Sequence, residues 1–139
     1  MSRRIAVLVP CRDEAVTIAK VVADFQAALP GAEIHVYDND SRDDSAARAR
    51  AAGAHVRHVA RPGKAEVMRR LFADIDADVY LMVDGDDTYH AASAPLLVWL
   101  TNTPWAWAQR RGPGAADAAY LHGVARDTWR LFERCVDAA

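Results

Sequence analysis

The chain is poor in cysteine, in lysine and in long apolar runs, and each shortage removes a class of protein. Cys11 and Cys135, its two cysteines, lie far apart and in no C-x-x-C spacing. Neither a zinc site nor a disulfide framework is therefore expected, and a reducing compartment is. No uninterrupted apolar run reaches the roughly 18 residues that a bilayer-spanning helix needs. The basic start, Met1-Ser2-Arg3-Arg4, leads into an apolar stretch that ends at Pro10, too short for the apolar region of a signal peptide. Net charge is −2, from 17 Lys+Arg against 19 Asp+Glu, which argues against a protein whose main task is gripping nucleic acid by its phosphates. Two phosphate-binding signatures are also missing. No G-x-G-x-x-G follows the first apolar run, and no G-x-x-x-x-G-K-[ST] occurs.

What is present is one domain's length, 139 residues, whose first hundred alternate between two periods. Residues 5–9 form a continuous apolar run, as expected for a strand buried on both faces. Ile18, Val21, Val22, Phe25 and Leu29 then recur at helical spacing until Pro30-Gly31 stops them. The cycle repeats, with strands predicted at 34–37, 55–59 and 79–83 and helices at 41–52, 64–75 and about 91–100. Strands alternating with helices of this length mean βαβ units, so the predicted class is α/β, a parallel-sheet βαβ sandwich with helices on both faces. Past residue 100 the pattern stops. Thr101-Asn102-Thr103-Pro104 breaks it, Arg111-Gly112-Pro113-Gly114 is turn chemistry, and 121–136 offers one ragged amphipathic helix and no fifth strand. The expected organisation is a recognisable part at 1–100 and an atypical tail at 101–139, as in a truncated or frame-shifted reading.

In an open parallel sheet, ligands bind outside the carboxyl ends of the strands, near a topological switch point. Polar residues gather there: Pro10-Cys11-Arg12-Asp13-Glu14 after strand one, Asp38-Asn39-Asp40-Ser41 after strand two, Asp84-Gly85-Asp86-Asp87 after strand four. Side chains two apart on an extended segment point the same way, so Asp84 and Asp86 would face one point. Gly85 between them would let another group approach the backbone. Hard oxygen ligands of this kind suit Mg²⁺ or Mn²⁺. A solvated Asp-Gly turn uses the same residues, but three acidic clusters on one sheet edge favour a cation among them. Gly63-Lys64 opens a helix and could receive an anion at its N-terminus, although an ordinary turn fits equally well. His55 and His58, three apart on a strand, fall on opposite faces and read as structural; Cys11 reads as a small packed residue. Trp99, Trp105, Trp107 and Trp129 read as core or surface aromatics rather than a sugar-stacking platform. A phosphoacceptor receiver domain would need an acidic acceptor after strand three and a late lysine, and His58-Val59-Ala60-Arg61 and the lysine-free stretch after Lys64 supply neither.

Three blocks, in this order, resemble the amino-terminal half of a family 2 glycosyltransferase with the GT-A fold, most of all its dolichyl-phosphate and undecaprenyl-phosphate sugar transferases. Val9-Pro10-Cys11-Arg12-Asp13-Glu14 with Thr17-Ile18 is similar to the family's P-x-x-N-E-x-x-x-I opening, with Asp13 where Asn is usual. The segment Val36-Tyr37-Asp38-Asn39-Asp40-Ser41-Arg42-Asp43-Asp44-Ser45 resembles V-x-D-[DN]-x-S-x-D-x-[ST]. Gly63-Lys64, then Val83-Asp84-Gly85-Asp86-Asp87-Thr88-Tyr89, resemble the G-K-G helix start and the D-x-D metal motif, with Ala65 replacing the second Gly.

The resemblance implies roles for single residues. Pro10 and Glu14 would line the nucleotide-sugar pocket, Asp38 would contact base or ribose, and Lys64 would add a phosphate contact. Asp84 and Asp86, the catalytic pair, would hold Mg²⁺ or Mn²⁺ against the diphosphate of a nucleotide-diphospho-sugar donor, Asp84 also touching the donor. Inverting transfer, with a polyprenyl phosphate as acceptor, is the implied activity; the alternative is a catalytically incompetent nucleotide-sugar-binding remnant. A cytoplasmic place, at the cytoplasmic face of a membrane for a polyprenyl acceptor, is implied as well. The tail does not supply the family's second half: Arg126-Asp127-Thr128-Trp129-Arg130 is not the Q-x-x-R-W motif of processive relatives.

Overall fold

A computed structural model describes residues 4–101. The readings made for the tail, among them the helix at 121–136, Cys135 and Trp105, Trp107 and Trp129, lie outside the described residues, as does the side chain of Trp99. The chain divides between Ala94 and Pro95, and the sheet lies in the part before that division.

The order is β1 (Ile5–Cys11), α1 (Ile18–Ala28), β2 (Glu33–Asp38), α2 (Ser45–Ala51), β3 (His55–His58), α3 (Lys64–Asp74) and β4 (Val79–Met82). A 3₁₀ turn at Ala91–Ser93 follows, then α4 (Ala94–Thr101), where the sequence pattern predicts a single helix. The four strands form one parallel sheet in the order β3-β2-β1-β4. This is the α/β architecture that the alternating periods predict. Among the described residues there is no fifth strand, and no helix is long and apolar enough to cross a membrane.

The apolar run of β1 explains its central place, since Ala6, Val7, Leu8 and Val9 are all buried. Ala6 and Leu8 join Tyr37, Val59, Val67, Leu71 and Ile75 in a core beneath α3. Val7 and Val9 alternate to the opposite face. There α1 buries Ile18, Val21, Val22 and Phe25 and packs with α2 and β2.

The second helix begins at Ser45 rather than Ser41. The intervening Ser and Asp side chains bind backbone groups and so compete with the helix. The amide N–H of Ser41 donates to Asp38 Oδ2 (3.3 Å), and that of Ser45 donates to Asp43 Oδ1 (2.9 Å). The same segment is tied to the loop after β1. Asp13 N–H donates to Ser41 Oγ (2.9 Å), Glu14 N–H to Ser45 Oγ (2.7 Å), Ala15 N–H to Asp43 Oδ2 (3.0 Å) and Arg42 N–H to Asp13 Oδ1 (2.7 Å). Asp13 sits at φ +54°, a left-handed conformation that Asp tolerates better than most residues.

From β1 the chain steps outward to β2 and β3, then crosses back to place β4 on the free side of β1. The carboxyl ends of β1 and β4 therefore flank the topological switch point, where an open parallel sheet offers a crevice.

Candidate functional site

A cleft of about 280 Å³ lies at that switch point. Pro10, Cys11, Arg12 and Glu14 line it from the end of β1, Asn39 from the end of β2, Gly63, Lys64 and Val67 from the start of α3, and Asp84 and Asp86 from beyond β4. Five of the residues singled out in the sequence thus meet in one place: Pro10, Glu14, Lys64, Asp84 and Asp86. A larger hollow of about 580 Å³ runs along α1 and residues 87–92. Its acids are already engaged, Lys20 Nζ lying 2.6 Å from Asp24 Oδ2 and 2.9 Å from Asp87 Oδ1. The smaller cleft has the better chemistry.

Asp84 and Asp86 share a side, though not for the reason expected. The segment after β4 is a turn rather than extended backbone, with Asp87 at φ +64°. Asp86 Oδ1 accepts the Thr88 hydroxyl and, at 3.0 Å, the Thr88 N–H. These bonds hold the Asp86 carboxyl below the usual carboxylate range. Thr17 Oγ1 donates to the Gly85 carbonyl (2.7 Å), pinning the turn to the start of α1. The group that approaches Gly85 is Glu14: a Cβ on Gly85 would collide with Glu14 Oε2 and stand 3.1 Å from Ile18 Cδ1.

Glu14 Oε2 is buried with no hydrogen-bond partner among the described residues. Burial pushes the Glu14 carboxyl above its ordinary value; bonds from Cys11 and the Arg12 backbone oppose that, while Asp86 and Asp84 reinforce it. Burial, then the nearby Glu14, pushes the Cys11 thiol far up, so it is a packed thiol and not a nucleophile. Lys64 Nζ lies 2.5 Å from Asp84 Oδ1, which raises the Lys64 pKa.

Asn39, quoted in a motif but given no role in the sequence reading, positions Lys64. Its Nδ2 donates to the carbonyls of Val59 (2.9 Å) and Arg61 (2.8 Å), and its Oδ1 accepts the Gly63 N–H (2.9 Å). The loop that delivers α3 to the cleft is thereby fixed, with Gly63 at φ +119°.

Asp38 is not among the residues lining the cleft. At the end of β2 it is 4% exposed, and its Oδ1 is buried and without a partner among the described residues. His58, set aside as structural together with His55, stands beside it. His58 Nδ1 is 3.5 Å from Asp38 Oδ2, and Nε2 is 3.7 Å from Asp40 Oδ1. His55 is elsewhere, stacked on His35 with centroids 5.0 Å apart. The parallel register pairs Asp38 with His58, a relation that follows once the strand order is known.

No group of three or more His, Cys, Asp or Glu side chains among the described residues is arranged to hold a metal by itself. Mg²⁺ and Mn²⁺ commonly make do with one or two carboxylates plus substrate phosphates, so the two-carboxylate edge of the cleft matches their habits.

The four-stranded parallel α/β sheet is an architecture of the GT-A glycosyltransferase class. The chain belongs to glycosyl transferase family 2, whose model matches residues 6–124. RfbJ of Shigella flexneri is 54% identical over 97 residues, covering 70% of this chain and 75% of RfbJ. Glycosyltransferase AglJ of Haloferax volcanii is 38% identical over 91 residues, covering 65% of this chain but 30% of AglJ. A crystal structure of Mycobacterium tuberculosis glucosyl-3-phosphoglycerate synthase with Mn²⁺, uridine diphosphate and glucosyl-3-phosphoglycerate superposes with TM-score 0.66 at 31% identity. It covers 75% of this chain and 42% of the synthase, which has also been solved with Mg²⁺ and uridine diphosphate. The chain therefore spans most of RfbJ and less than half of the other two.

Proposed function

We propose that the chain binds a nucleotide-diphospho-sugar in the cleft between β1 and β4, through a divalent cation held by Asp84 and Asp86, and transfers the sugar. The observation that carries this reading is the convergence of Pro10, Glu14, Lys64, Asp84 and Asp86 on one cleft at the switch point. Asp86, kept ionised by Thr88, and Asp84, whose partner Lys64 is exposed and exchangeable, would be the residues that hold Mg²⁺ or Mn²⁺. The cation supplies charge neutralisation for the departing nucleoside diphosphate. Lys64, released from Asp84, adds a positive charge beside the same phosphates at the N-terminus of α3. The solved neighbour holding Mn²⁺ and uridine diphosphate supports a metal and a diphosphate donor.

A polyprenyl phosphate as acceptor suits a cleft without an assigned base. Its oxygen is ionised near neutral pH, so positioning and electrostatics would be the main catalytic contributions. Binding without turnover is the second reading. By resemblance, residues 1–100 form the donor-binding half and 101–139 an atypical tail.

The test has two arms. Calorimetric titration of a nucleoside diphosphate, with Mn²⁺ and again with a chelator, should show metal-dependent binding that Asp86→Ala weakens at least about 100-fold, given the charge-assisted contacts removed. Unchanged affinity in that variant would refute the metal assignment. Release of sugar from the donor, with a polyprenyl phosphate or with water, then separates transferase from remnant. Binding without turnover would favour the remnant.

A further inference from the structure

At the other side of β1 a buried carboxylate is only half used. Asp38 is 4% exposed, its Oδ2 accepts the Ser41 N–H at 3.3 Å, and its Oδ1 has no partner among the described residues. A buried acceptor left unpaired is expensive, of order 1–3 kcal/mol, so its persistence points to a ligand that supplies the missing donor. Among the described residues, His58 is the basic side chain paired with it. The imidazole stands between two carboxylates, its Nδ1 towards Asp38 and its Nε2 towards Asp40. Asp40 adopts φ +57°, a backbone state uncommon outside glycine but tolerated by Asp. His58 ends β3, so its backbone is set by the sheet pairing with Asp38 while more than half of its side chain surface remains exposed.

We propose that His58 is the positioning residue of the nucleobase end of the site: held between Asp38 and Asp40, it fixes Asp38 so that the buried Oδ1 meets an N–H of the donor's base. The inference rests on the reading that Asp38 contacts the donor and adds the residue through which that contact is set. His58 itself touches neither the phosphates nor the cation. Its removal therefore weakens recognition of the base and leaves recognition of the diphosphate alone.

The experiment titrates the full chain, with Mn²⁺ present, with two ligands. One is inorganic pyrophosphate; the other is whichever of uridine, guanosine or thymidine diphosphate the unaltered chain binds most tightly. His58→Ala should lose about tenfold in affinity for the nucleoside diphosphate, the scale of one such hydrogen bond, and nothing for pyrophosphate. His58→Asn places an amide N–H near the position of Nδ1 and should restore most of the loss, whereas His58→Gln, which reaches towards Asp40, should not. An equal loss for both ligands, no loss for either, or rescue by Gln rather than Asn would overturn the proposal. Asp38→Asn separates the two claims. If it binds the nucleoside diphosphate as the unaltered chain does, the reading of Asp38 fails. If it loses affinity while His58→Ala does not, the role of His58 alone fails.

Discussion

The acidic groups on either side of β1 are held in opposite ways. On the β4 side, Asp84 and Asp86 reach solvent, and their partners are the exposed Lys64 and Thr88. On the β2 side, Asp38 and Asn39 are each 4% exposed and bonded to backbone: Asp38 takes the Ser41 N–H, and Asn39 engages Val59, Arg61 and Gly63. An exposed ion pair contributes about 0–1 kcal/mol and can be exchanged for a cation or a phosphate. A buried amide with three backbone bonds cannot be exchanged without moving the loop it holds. The side that must trade partners is built to let go, and the side that must keep register is not.

That contrast can be broken most severely at Asn39. Asn39→Ala leaves the carbonyls of Val59 and Arg61 and the N–H of Gly63 without their partner, and should destabilise the fold by about 2–4 kcal/mol in urea unfolding. A loss below about 1 kcal/mol would mean that water replaces the amide and that the β2 side is no more rigid than the other. Next is Gly85→Ala, whose added Cβ collides with Glu14 Oε2 and should destabilise by about 1–3 kcal/mol. Glu14→Ala in the same chain removes the collision, so the double variant should be more stable than the sum of the single losses implies. Additive losses would show that Gly85 is needed for something other than room for Glu14.

Lys64→Met should sharpen the comparison on the exchangeable side. Breaking an exposed pair should change stability by no more than about 1 kcal/mol, while affinity for a nucleoside diphosphate falls roughly tenfold. Mn²⁺ alone should bind no more weakly, because Asp84 loses a competitor. Weaker binding of the metal alone would show that Lys64 orders Asp84 rather than competing for it. The smallest effect lies away from the cleft, at the stacked His35 and His55. Burial holds His35 below its ordinary value of 6.5, against the pull of Glu33. A lowered folded-state value means that protons favour the unfolded chain. The stability contribution is thus present above 6.5 and is lost as pH falls through the lowered value. His35→Phe should lose less stability than the unaltered chain between about pH 7 and about pH 5, with binding in the cleft unaffected. Parallel pH profiles would show that His35 does not titrate with folding.

The alternation of strands and helices was legible because the two apolar periods differ so plainly between residues 5–9 and 18–29. The order β3-β2-β1-β4 was not, since hydrophobic pattern does not say to which side a crossover returns. The late start of α2 at Ser45 escaped for a local reason, the competition of Ser41, Asp43 and Asp38 for backbone N–H groups. At the site, Pro10, Glu14, Lys64, Asp84 and Asp86 could be named from motif and strand end, and they meet in one cleft. Asp38, which the motif names with them, stands apart from that cleft; Asn39 has no role in the sequence reading, and His58 reads there as structural. Their positions depend on the register of β2 against β1 and β3, which no single segment of sequence encodes.

The central claim is that the cleft between the ends of β1 and β4 receives a metal-bound diphosphate. Mn²⁺ is paramagnetic and broadens the NMR signals of nearby amides, so titrating it into the isotope-labelled chain with a nucleoside diphosphate present locates the ion directly. The account predicts broadening centred on Asp84, Gly85 and Asp86 and reaching Gly63 and Lys64, with His35 and His55 spared. Broadening centred instead on Asp24, Asp87 and His90, along the larger hollow, would contradict it, as would no broadening at all.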